Sequence, residues 1–94
     1  MEPQKQELQI KIHENDAKGN YSNMMQILHT KEEFFLDFFL NAPPQAMLAT
    51  RVIMNPGHAK RMAAALAENI KKYEEKYGPI REGDTPESKI GFIK

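Results

Sequence analysis

"EEFFLDFFLN", residues 32–41, contains six large apolar side chains and one aspartate in the seven positions 34–40. Whether this run is pleated or coiled decides the fold. As a strand it puts Phe34, Leu36, Phe38 and Leu40 on one face and Phe35, Asp37 and Phe39 on the other. As a helix it would bring Phe34, Phe35, Phe38 and Phe39 to one side, and Thr30 followed by Glu33 has the form of a capping box. The run is short, aromatic residues favour pleated surfaces, and a helix would spread Leu36 and Leu40 around most of its circumference. The pattern predicts a strand over residues 33–40.

Working outward, "ELQIKIH", residues 7–13, alternates cleanly, with Leu8, Ile10 and Ile12 against Gln9 and Lys11. That is the period of a half-buried strand. "ENDAKGN" follows with residues suited to a turn. Residues 21–29, "YSNMMQILH", read as a second strand, with Tyr21, Met25 and Ile27 on one side and Met24 and Leu28 on the other. "TKEE" makes a short turn. "NAPPQA" is expected as a loop, because neither proline can donate to a ladder. Residues 47–54, "MLATRVIM", read as a fourth strand, with Leu48, Thr50, Val52 and Met54 against Met47, Ala49, Arg51 and Ile53.

The segment from Asn55 to Pro79 predicts a long helix. Asn55 is a good N-cap and Pro56 fits the first helical position. Ala59, Met62, Ala63, Leu66, Ile70, Tyr73 and Tyr77 recur at steps of mostly three and four and form one apolar stripe. Lys71, Lys72 and Lys76 suit the negative end of the dipole, and Gly78 with Pro79 ends the helix. Its length, about 33 Å at the usual rise, exceeds that of an ordinary strand, so part of the stripe is expected to reach past the sheet.

Short links between successive strands predict antiparallel hairpins. The expected fold is α+β, a four-stranded antiparallel meander followed by one long C-terminal helix packed on one sheet face. Residues 1–80 are expected to form a single domain, residues 1–6 a loose arm, and residues 81–94 a flexible charged tail whose Ile90, Phe92 and Ile93 could dock on a neighbour.

One helix covers one face, yet the middle strands carry large apolar groups on both. The expected interface therefore comprises Phe35, Asp37 and Phe39, flanked by Met25 and Ile27, packed against a second copy of the chain or a client. Burying Phe35 and Phe39 there contributes on the order of 1.5–3 kcal/mol each. Asp37 either discourages unspecific stacking of strands or pairs with Arg51, if the register brings them together.

Composition narrows the function. The 94 residues hold 13 basic and 13 acidic side chains and no cysteine. A chain this short has few ways to enlarge its core; disulfides and cysteine-type zinc sites are excluded, which leaves oligomerisation as the common route. Zero formal charge removes the strong electrostatic argument for nucleic acid or acidic membranes. The polar opening "MEPQKQELQ" predicts no signal peptide, no run approaches a membrane span, and a cytoplasmic location is expected. His13, His29 and His58 lack metal-ligand spacing, and no nucleophile stands beside any of them; no catalytic residue, metal or cofactor is predicted, and the chain is not expected to be an enzyme. Arg51, His58, Lys60 and Arg61 could contact an anion or nucleic acid, with Phe35 and Phe39 available to stack on bases. Glu68, Glu74 and Glu75 on the same helix oppose that. Met24, Met25, Met47, Met54 and Met62 suit an adaptable surface.

"YSN" at 21–23, "EFFLDFF" at 33–39, "RVIMNPGHAKRM" at 51–62 and "NIKKYEEKYG" at 69–78 resemble a small prokaryotic family known as a domain of unknown function, across residues 8–80. The resemblance carries no assigned activity and transfers no functional residue. In layout alone, a meander followed by a long helix is also similar to the export chaperone SecB. The expected function is a non-enzymatic, homo-oligomeric protein-interaction or chaperone-like module, a dimer first, using an apolar sheet face. The alternative is a nucleic-acid-binding module using sheet aromatics and the basic helix side, which should weaken steeply with salt where apolar binding should not.

Overall fold

The deciding run is pleated. In a computed structural model that describes residues 7–83, the elements are α1 (Glu14–Ala17), β1 (Met24–His29), β2 (Phe34–Ala42), β3 (Gln45–Met54) and α2 (Pro56–Tyr77). The strands form one antiparallel sheet in the order β1-β2-β3. The fold is thus α+β, a three-stranded meander followed by a long helix. The described residues fall into two compact units divided between Pro56 and Gly57. The predicted arm over residues 1–6 and the apolar tail residues Ile90, Phe92 and Ile93 lie outside the described residues.

The Thr30–Glu33 pair, which suggested a helix start, is used in a turn instead. The Thr30 hydroxyl accepts the Glu33 N–H at 3.1 Å and the Glu32 N–H at 3.2 Å. The Thr30 N–H donates to the Glu33 carbonyl at 2.9 Å and closes the β1–β2 hairpin. A hydroxyl that can cap a helix can equally gather the donors of a tight turn. His29 and Phe34, paired at the hairpin end, stack with centroids 5.3 Å apart.

The expected loop "NAPPQA" shrinks to two residues. Ala42 pairs with Gln45, so β2 and β3 run to either side of Pro43 and Pro44, whose peptide bond is cis. The prolines occupy only the turn, the place where a missing N–H is not called on by the ladder.

The predicted strand over residues 7–13 is corrected: it joins no ladder, and among the described residues the sheet has three strands rather than four. Leu8, Ile10 and Ile12 are 89 %, 82 % and 71 % exposed. Alternation makes a segment suitable for a strand, but pairing requires an edge within reach. Residues 7–13 form no ladder with β1. A single helical turn, α1, starts from the His13 carbonyl, which accepts the Asp16 and Ala17 N–H groups at 3.0 Å. Gly19, with φ at 76°, turns the chain. Asn20 then donates from Nδ2 to Thr50 Oγ1 at 2.7 Å, which ties the segment to β3.

α2 has the predicted bounds and ends as expected. Gly78, at φ 95°, donates its N–H to the Glu74 carbonyl at 2.9 Å. The Ile80 N–H donates to Glu74 Oε2, also at 2.9 Å. Along the helix Ala59 is buried and Met62 half-buried, while Leu66, Ile70, Tyr73 and Tyr77 are exposed. Tyr73 and Tyr77 lie with ring centroids 4.9 Å apart.

Candidate functional site

The centre of the sheet holds the one charge in the greasy run. Asp37 stands opposite Arg51 on β3 and Gln26 on β1. Arg51 Nε donates to Asp37 Oδ1 at 2.6 Å and Arg51 Nη2 to Oδ2 at 2.8 Å. This two-pronged arrangement matches the planar guanidinium to the planar carboxylate. Asp37 has 0 % exposure while Arg51 keeps one side to solvent. The guanidinium hydrogen bonds hold the Asp37 carboxyl below its ordinary value of 3.8, against desolvation, with the Arg51 charge adding to the lowering. The same hydrogen bonds raise Arg51 above its usual range, again against desolvation. Of the two roles the sequence left open for Asp37, the pairing with Arg51 is therefore formed.

Opposite residues of an antiparallel ladder share a face, so the register sorts the expected interface. Leu28, Phe35 and Ile53 form one cross-strand row on the Asp37 face, and Met24, Phe39 and Leu48 form another, with the Gln26–Asp37–Arg51 row between them. Met25 lies instead with Phe38 and Thr50, and Ile27 with Leu36 and Val52, on the opposite face. The five residues Met25, Ile27, Phe35, Asp37 and Phe39 are thus divided between two faces. The parity of β1 could not be aligned with that of β2 before the hairpin register was known. Phe39, expected to face water in a single chain, is only 4 % exposed, and Phe35 is half-buried.

A second shift affects β3. Phe38 pairs with Thr50 but Phe39 pairs with Leu48, so Ala49 is an extra residue that opposes nothing, a bulge. Leu48 therefore moves to the face of Arg51 and Ile53, away from the Thr50, Val52 and Met54 set expected for it.

The "YSN" motif has a structural use that pattern reading missed. The Asn23 side chain copies a backbone pairing: Asn41 N–H donates to its Oδ1 at 2.7 Å, and its Nδ2 donates to the Asn41 carbonyl at 3.2 Å. The Ser22 hydroxyl reaches the Met24 carbonyl at 2.9 Å and the Phe39 carbonyl at 3.1 Å. Polar residues just ahead of an apolar strand are the only signal of this in the sequence. The tethered segment and the sheet enclose an open depression of about 410 Å³ lined by Asn15, Asp16, Asn20, Ser22, Phe38 and Thr50.

Of the residues considered for anion contact, Arg51 is taken up by Asp37, while His58, Lys60 and Arg61 lie in the first turns of α2. His13 supplies the carbonyl that starts α1 and His29 stacks on Phe34. Among the described residues no three His, Asp or Glu side chains cluster as metal ligands, and no helix is long and apolar enough to cross a membrane.

No curated protein and no solved structure matches the chain. A family match extends over residues 1–82, from ahead of the tether through the sheet and the whole of α2, and by it the chain belongs to the family described as Protein of unknown function (DUF3467).

Proposed function

We propose that the chain is a non-enzymatic, homo-oligomeric protein-interaction module, chaperone-like in holding polypeptide on an apolar sheet surface. One observation carries the reading. Met25, Ile27, Leu28, Leu48, Val52 and Ile53 are all between 38 % and 54 % exposed on a sheet of three strands among the described residues. Ile27 and Val52 flank buried Leu36 on one face, and Leu28 and Ile53 flank Phe35 on the other. Large apolar side chains left half-exposed on both faces of one small sheet mark a surface suited to association, and a chain this short gains core by self-assembly. The cytoplasm is the compartment we assign, since a cysteine-free chain suits reducing conditions.

Sedimentation of the pure protein tests the reading: a dimer or larger assembly is expected. Replacing both Leu28 and Ile53 with serine should give single chains that keep their helical circular dichroism. The intact protein should also suppress light scattering from a heat-aggregating enzyme equally well in low and high salt. A single chain at every concentration, with no suppression, would remove the proposal. The nucleic-acid alternative is less well supported, because Asp37 already neutralises Arg51; a gel shift at low salt with mixed RNA and DNA should show no complex.

A further inference from the structure

We propose that residues 7–13 of one copy add as a fourth strand to the outer edge of β3 in a second copy. This rests on the homo-oligomeric reading above and specifies how the copies join. The segment has the sequence period of a strand, yet in its own chain it pairs with nothing and leaves Leu8, Ile10 and Ile12 almost wholly in water. An isolated extended segment gains its backbone hydrogen bonds and buries its apolar side only by joining a sheet.

Its own β1 edge is denied to it. The bond from Asn20 to Thr50 holds the preceding chain at β3, and Ser22 and Asn23 are fixed to β2 by their side chains. A hairpin from residues 7–13 to β1 would need that tether undone. The outer edge of β3 is unpaired among the described residues, and at ten residues it is longer than β1, which has six. Of the usual devices that blunt an edge it has one, the bulge at Ala49; it carries no proline and no lysine, and its single charge, Arg51, is drawn to Asp37. A strand laid there would cover the flanks of Leu48, Val52 and Ile53. Because the tether sits at β3, a twofold axis beside that edge lets each segment cross to the other copy, which closes both edges at once.

Since the chain has no cysteine, introduced pairs report contacts cleanly. Gln9→Cys protein is co-refolded with Ala46→Cys or Ile53→Cys protein, at the two ends of β3, and with Leu28→Cys protein as the β1 comparison. Oxidation should link two chains through Gln9→Cys and one of the β3 probes. Linkage to Leu28→Cys instead, or, in a double variant that carries both cysteines of a pair, a disulfide formed within one chain, overturns the proposal. Independently, Ile10→Pro removes a ladder donor and should reduce the sedimenting mass to one chain with α2 still helical. A wild-type protein that sediments as one chain overturns both this proposal and the functional reading. An assembly that survives Ile10→Pro but dissociates with the Leu28/Ile53 serine pair overturns the strand exchange alone.

Discussion

A carboxylate with no exposed surface is costly unless its charge is met, and Asp37 is met by both reachable nitrogens of Arg51. Removing one partner should therefore harm more than removing both. Asp37→Asn and Arg51→Ala are each expected to lower the urea midpoint clearly, while Asp37→Leu combined with Arg51→Leu recovers much of the loss, because two apolar groups in one row need no partner. The sign of the acid response follows from the lowered carboxyl. The unfolded chain binds the proton near 3.8 and the folded chain only below that. The pair's contribution is fully present above 3.8 and is lost as pH falls through the lowered value. Unfolding followed against pH should show the wild-type advantage over Asp37→Asn shrinking in that acid window. The sequence offered this pair as one of two roles for Asp37; what it lacked was the pairing of residue 37 with residue 51, which is a property of the hairpin.

At the scale of the element, legibility tracked how local the determining interactions are. α2 was readable to its ends, since Pro56, the apolar stripe and Gly78 act within a turn or two of the chain. Gly78 sits at φ 95° with open space around it, so Gly78→Ala strains only the backbone and should cost about 1–2 kcal/mol in thermal or urea unfolding. β2 was readable because six apolar residues in seven positions fit a pleat better than a coil. Residues 7–13 were misread for the opposite reason: their alternation is local, but the tether of Asn20 to Thr50 that takes them away from β1 spans thirty positions. The faces of β1 and β3 were likewise set by registers fixed elsewhere, at the Thr30 turn and at the Ala49 bulge.

For the molecule as a whole, the candidate site was legible as a composition and not as a map. The excess of apolar surface was evident from a short chain with aromatic strands; which residues share a surface was not, and Met25 and Ile27 changed sides once paired. Self-association driven by such surface should hold its dissociation constant across a wide range of salt, whereas a complex held by phosphate contacts would weaken steeply; sedimentation equilibrium at low and high salt measures this. The unopposed Ala49 also sets a rule for chain length. Deleting Ala49 alone leaves Leu48 across from Phe39 and Thr50 across from Phe38, so the shortened protein should fold with its side chains on unchanged sides and lose chiefly some local twist. Deleting Val52 instead would transpose Arg51 and everything before it in β3 relative to the remainder of the strand. A comparison of the two deletions by urea unfolding should find the first mild and the second severe, which makes position 49 the place where this sheet can gain or shed a residue.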